Sequence, residues 1–181
     1  MEDESPLEVE FLPWEILRVL NEEGVEYLVI GGTAAVLHGS SLPTQDVDIL
    51  PLREPQNLER LSRALARLDA KIRTADEPVA TTIDGPFLDA TPAMLNLVTK
   101  FGDLDLAFAP AGPMSGFEEW NANATSIDVR DRLVVRVAAL EDVIASKIAA
   151  NRPKDQRALP YLESLLEQIP GEGESGSREK P

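Results

Sequence analysis

The sequence predicts a domain of the α/β (α+β) class, short strands interleaved with helices, and three observations predict it. An apolar run from Val25 to Ile30 ends in Gly31-Gly32 and leads into Thr33–Leu37, the pattern of a strand that turns directly into a helix. A second run, Asp46-Val47-Asp48-Ile49, alternates acidic and apolar side chains, the period of a strand with two unlike faces. Leu58, Leu61, Leu65 and Leu68 recur at steps of three and four, the period of an amphipathic helix.

The remaining elements follow in order. Residues 1–10 are acidic and expected to be disordered, and residues 11–168 form the domain. Pro13 suits the first turn of a helix, and Trp14, Ile16, Leu17 and Leu20 carry it to a stop at Gly24. Val25–Ile30 is the first strand, Thr33–Leu37 a short helix closed by Gly39, and Asp46–Leu50 a strand ended by Pro51. Residues 75–93 hold three prolines and no clear period, and read mostly as loop. Met94–Thr99 and Leu104–Phe108 read as a hairpin around Lys100-Phe101-Gly102-Asp103. Phe117–Ala122 is a short helix, and Ile127–Val129 pairs with Leu133–Val137 around Arg130-Asp131-Arg132. Two helices close the domain, Leu140–Asn151 and a last one opened by Pro153 and running through Leu166. The tail, 169–181, is rich in Gly, Ser and charge and is expected to be disordered.

Composition closes several routes. With no cysteine there is no disulfide and no thiolate metal site, and with His38 as the one histidine there is no multi-histidine zinc site. No apolar stretch reaches the length of a membrane span, and the acidic start lacks the basic region of a signal peptide, so a cytoplasmic protein is expected. The net charge is −15, of which −9 remains after the acidic N-terminus and the tail are set aside. Such a surface repels a nucleic-acid backbone unless a local basic patch or a partner helps, and it equally suits a basic partner protein.

The chemistry sits where the two strands meet the glycines. Asp46 and Asp48, at i and i+2 of a strand, point to one face, where two like charges are costly without a cation between them. A strand that ends in two glycines exposes backbone N–H groups to a phosphate. Together they can hold Mg²⁺, or Mn²⁺ in its place, against a nucleoside triphosphate. The plain alternative is two acids on a wet strand face. Asp105, between Leu104 and Leu106, is either an edge-strand acid or a third oxygen ligand or base; Asp103 reads as turn chemistry. Ser40, Ser41 and Thr44 offer hydroxyls to phosphate or merely cap their own turn. Lys147 shares a helix face with apolar residues and either reaches a triphosphate or snorkels to the surface. Arg152-Pro153-Lys154-Asp155 is a substrate clamp or a set of helix caps, and His38 faces solvent or caps a helix.

These residues resemble a minimal nucleotidyltransferase of the DNA polymerase β superfamily, whose pattern is Gly-Gly or Gly-Ser, a short helix, Asp-x-Asp, and a third acid on a later strand. More narrowly, the chain resembles the group related to AbiE-type toxins. The matching segments are Ile30-Gly31-Gly32-Thr33-Ala34 through His38-Gly39, Asp46-Val47-Asp48, Gly102 to Leu106, and Ser146 to Asp155, within residues 13–168. The resemblance implies a mixed, twisted sheet flanked by helices, with helices at the C-terminus. It implies Gly31 and Gly32, with Ser40 and Thr44, at the nucleotide phosphates, Asp46, Asp48 and Asp105 as the catalytic, Mg²⁺-binding triad, and Lys147 at the triphosphate. It further implies a prokaryotic enzyme that moves a nucleoside monophosphate from an NTP to tRNA, a protein or a small-molecule hydroxyl, in a toxin–antitoxin or phage-defence setting with a cognate antitoxin as partner. The alternative is a nucleotide-sensing or partner-binding module of the same fold. The chain departs from the pattern at Leu42, where relatives carry an arginine two residues ahead of the threonine.

Overall fold

The structure, a computed structural model, describes residues 10–169. The disorder expected for 1–10 and for 169–181 lies outside the described residues except at Glu10 and Ile169. The elements run α1 (Pro13–Glu22), β1 (Tyr27–Ile30), α2 (Gly31–Leu37), β2 (Asp46–Pro51), α3 (Pro55–Arg67), β3 (Lys71–Ile72), α4 (Gly85–Ala90), β4 (Met94–Thr99), β5 (Gly102–Ala107), α5 (Phe117–Ala122), β6 (Thr125–Arg130), β7 (Leu133–Val137), α6 (Leu140–Ala150) and α7 (Pro153–Gln168). The seven strands form one mixed sheet in the order β3-β4-β5-β2-β1-β7-β6. β2 runs parallel to β5 and β1 parallel to β7, while the other neighbours are antiparallel.

Alternation along β2 and β5 decides what each face of the sheet carries. Val47, Ile49, Leu104 and Leu106 are fully buried in the main core, together with Ile16, Leu17 and Leu20 of α1 and Leu58, Leu61 and Leu65 of α3. Burial of one such side chain contributes about 2 kcal/mol before ordering costs. The intervening positions 46, 48, 103 and 105 therefore turn their carboxyls to the opposite face. On that side a smaller cluster of Ala35, Leu140, Ile144 and Leu162 joins α2 to the α6–α7 pair.

The structure adds two short elements and corrects one expectation. The stretch 75–93 is not all loop: Asp84 accepts a hydrogen bond from the Phe87 amide, Pro86 fills the first turn, and α4 follows. A short β3 also pairs with β4, and no apolar alternation could reveal so brief a strand. Finally, the hairpin turn is Lys100-Phe101 alone, so Asp103 lies on β5 rather than in a turn. Thr99 makes the tight turn possible, its hydroxyl donating to the Gly102 carbonyl and accepting from the Phe101 amide. Among the described residues no helix is long and apolar enough to cross a membrane.

Candidate active site

The parallel register of β2 and β5 sets Asp46 beside Asp103 and Asp48 beside Asp105. Oxygen atoms of Asp46, Asp48 and Asp105 lie within 4.8 Å of one another. Two ionised carboxylates at such a distance repel by about 4 kcal/mol in a half-solvated setting. The chain shows the effect. Burial, followed by the charges of Asp46 and Asp105, pushes the Asp48 carboxyl up to about 6, against the opposing pull of the Gly32 amide and Lys154. Burial also raises Asp105, although the Arg73 guanidinium works in the other direction. Three hard oxygen donors, of which Arg73 offsets the charge of Asp105 alone, fit a divalent cation such as Mg²⁺.

The glycine pair closes one side of this cluster. Gly31 has φ of +62°, and a Cβ there would overlap the Asp48 carboxylate, so both backbone and space demand glycine. A Cβ on Gly32 would lie 2.8 Å from the Thr44 hydroxyl. That hydroxyl sits 3.1 Å from the Asp46 carbonyl and 3.2 Å from its Oδ1, and steadies the start of β2. Ser40 is buried, and its Oγ accepts the Leu42 amide, so this hydroxyl caps its own turn. Ser41 is bound through its amide and hydroxyl by the Tyr161 hydroxyl of α7.

The opposite wall comes from α6 and α7. Asp155, wholly buried, accepts from Lys147 Nζ at 3.3 Å and from Arg152 Nε at 2.6 Å. Burial alone would raise its pKa, but the Arg152 hydrogen bond and the Lys147 charge outweigh it and hold the carboxyl below the usual range. Two cations on one carboxylate leave this wall positive, and Lys154 beside them acts on Asp48. A cavity of about 590 Å³ lies between the walls, lined by Gly31, Gly32, Thr44, Asp48, Lys147 and Lys154 among others.

A sequence model described as "Nucleotidyltransferase of unknown function (DUF6036)" matches residues 14–169. The chain belongs to this nucleotidyltransferase family. The fold agrees. Lincosamide antibiotic adenylyltransferase LnuA, solved with lincomycin bound, superposes with a TM-score of 0.59 at 17% identity, over 86% of this chain and 99% of that one. The antibiotic-resistance factor ANT(2'')-Ia gives 0.54 at 16% identity, over 84% of this chain and 80% of that one. No curated protein matches the chain in sequence.

In this nucleotidyltransferase the residues singled out from sequence converge on one cavity: Asp46, Asp48 and Asp105 with Gly31, Gly32, Ser40, Thr44 and Lys147. Lys147 does not snorkel away, because Asp155 holds its ammonium. His38 stands apart, its Nε2 donating to the Ala138 carbonyl at 2.8 Å and tying the end of α2 to the segment after β7. Leu42 is half-buried against the cluster formed by Ala35, Leu140, Ile144 and Leu162, so it sits at the seat of α7. Sequence reasoning missed Arg73 and Asn96, both of which bind Asp105. Asn96, two positions after Met94 on a strand that alternates, carried a signal; Arg73, just past a two-residue strand, carried none.

Proposed function

We propose that this nucleotidyltransferase moves a nucleoside monophosphate from an NTP to the hydroxyl of a small molecule. The observation that carries the reading is the cluster of Asp46, Asp48 and Asp105, packed against a glycine pair and facing the Lys147 and Lys154 wall across a cavity of substrate size. Asp46, Asp48 and Asp105 would hold Mg²⁺, or Mn²⁺ in its place. When bound, the cation supplies Lewis-acid polarisation of phosphoryl oxygens and offsets charge in the transition state. Gly31 and Gly32 lack side chains, so phosphate oxygens can approach the backbone there. Lys147 and Arg152, pinned by Asp155, and Lys154 beside them offer fixed positive charge to the triphosphate, a role in which Leu42 cannot serve. In-line attack then forms the bond from acceptor oxygen to the α-phosphorus as the bond to the pyrophosphate oxygen breaks, and the acceptor proton passes to the Asp105 carboxylate.

Several observations favour a small acceptor. The cavity is of ligand size, and the net charge of −15 disfavours a nucleic-acid backbone. Two proteins of similar fold are described with antibiotics, LnuA bound to lincomycin and ANT(2'')-Ia in complex with adenylyl-2''-tobramycin. An NTP donor fits a cytoplasmic location. A second reading rests on the AbiE-like segments Ile30–Gly39 and Ser146–Asp155: the toxin of a toxin–antitoxin or phage-defence pair, acting on tRNA or protein, with an antitoxin or basic partner offsetting the acidic surface.

The test is transfer of label from each of four α-labelled NTPs, with Mg²⁺, into a panel of hydroxyl-bearing antibiotics, total RNA and total protein. The Asp46→Ala/Asp48→Ala double variant runs alongside. Label on a small product that needs both carboxylates is the expected result, and label on RNA or protein would favour the second reading. No label anywhere, with Mg²⁺–NTP still raising the melting temperature, would leave a nucleotide-sensing module.

A further inference from the structure

Among the described residues four carboxylates, not three, line the shared face of β2 and β5, and the Arg73 guanidinium is ion-paired with two of them. Arg73 follows β3 at the sheet edge, held in place by its amide, which donates to the Asn96 carbonyl at 2.9 Å. Its Nη1 donates to Asp103, and its Nη2 donates to both oxygens of Asp105, at 2.8 and 3.0 Å. Asn96 Nδ2 adds a third hydrogen bond, to Oδ2 of Asp105 at 3.3 Å. A carboxylate has about four acceptor positions, so Asp105 keeps one, on Oδ1. Among the described residues the Asp46 carboxylate meets only the shared hydrogen of Thr44. The third carboxylate is thus locked in orientation by side chains, while Asp48 meets the Gly32 amide and Asp46 keeps most of its acceptor positions open.

We propose that Arg73 is a positioning residue that clamps Asp105 against Asp103, so that Asp105 offers a metal its Oδ1 alone and the bare site binds a divalent ion weakly. This rests on the reading of the triad as a metal site. Two consequences follow from charge and geometry. The guanidinium lies directly behind a ligand and repels an incoming cation, so its loss strengthens binding of the bare ion. Asp103, which is no ligand itself, draws the guanidinium partly away from Asp105, so its neutralisation weakens binding. Removing opposite ends of one ion pair therefore shifts metal affinity in opposite directions. A purely structural bridge would behave otherwise, because losing either end would loosen the same corner.

The experiment is Mn²⁺ titration followed by electron paramagnetic resonance at pH 8 without nucleotide, on the full chain, with thermal melts to confirm folding. Arg73→Gln is expected to bind Mn²⁺ at least tenfold more tightly than the wild type, and Asp103→Asn several-fold more weakly. Arg73→Lys keeps the charge and loses the fork, and is expected to stay within threefold of the wild type. Equal or weaker binding by Arg73→Gln, or shifts of one sign in both variants, overturns the proposal. If Arg73→Gln does not fold, Asp103→Asn decides alone: unchanged or tighter binding overturns it. Because no acceptor is needed, the opposed shifts in a protein that transfers no label would support this inference and sink the transferase reading. No Mn²⁺ binding by the wild type or by Arg73→Gln would overturn both the inference and the metal assignment.

Discussion

Asp48→Asn is expected to melt several degrees above the wild type at pH 8 and to lose both transfer activity and stabilisation by Mg²⁺. The Asp48 carboxyl titrates at about 6, above its ordinary 3.8, because burial and two neighbouring carboxylates oppose its charge. A raised carboxyl pKa means that the folded protein holds this proton more tightly than the unfolded chain. Stability from this site is therefore full below pH 3.8 and is lost as pH rises through 6. The loss amounts to about 3 kcal/mol at most, since each pKa unit corresponds to 1.36 kcal/mol. The amide keeps the shape without the charge, so the variant's melting temperature should vary less between pH 5 and pH 8. Differential scanning fluorimetry over pH, with and without Mg²⁺, reads all of this. A variant that melts below the wild type at pH 8, or that Mg²⁺ still stabilises, would remove Asp48 from the metal site.

Asp155→Ala is expected to have the opposite effect on stability, a loss of about 3 kcal/mol, with a raised KM for NTP. Breaking one partner out of a buried ion pair costs about 3–5 kcal/mol, because the remaining charge is left in a poor medium. Here Lys147 is the stranded group, its side chain 15% exposed, while the half-exposed Arg152 can return to water and keeps the cost near the lower limit. The first turn of α7 also loses its capping box. The double variant Lys147→Met/Asp155→Leu should regain much of the stability, since a well-packed apolar pair often replaces a buried ion pair at little cost. It should not regain NTP affinity. An Asp155→Ala protein that melts within a degree of the wild type would show the triad of Lys147, Arg152 and Asp155 to be ornamental.

Much of this site was legible because strand periodicity and chemical type agree there. Asp46 and Asp48 share a face by parity alone, and Gly31-Gly32 follows the strand whose end must approach them. What parity could not supply is which distant strand lies alongside. Asp105 meets Asp48 through a parallel pairing, and Arg73 arrives from a strand too short to have a period. Asp103 read as turn chemistry because Thr99 closes the hairpin two residues sooner than a Lys-Phe-Gly-Asp turn suggests. α4 hid among three prolines, yet one of them, Pro86, sits in its first turn, where proline favours a helix. Leu42 signalled a missing cation in sequence, whereas in space it marks the seat of α7, the helix that brings Arg152 and Lys154 to the cavity.

The pairing of β2 with β5 has a kinetic corollary. β1 with β2, and β4 with β5, are antiparallel neighbours joined by local connections, and such contacts close early. Asp48 and Asp105 stand on opposite sides of a long excursion through α3, β3, α4 and β4, so they meet only when that excursion has closed. A partly folded chain with both hairpins formed would still present two separate pairs of acids and no three-oxygen grip. The cation would thus act on the finished sheet, slowing the opening of β2 from β5 while leaving the rate of folding unchanged. In this chain an ion at the triad is a lock on a door that must already be shut.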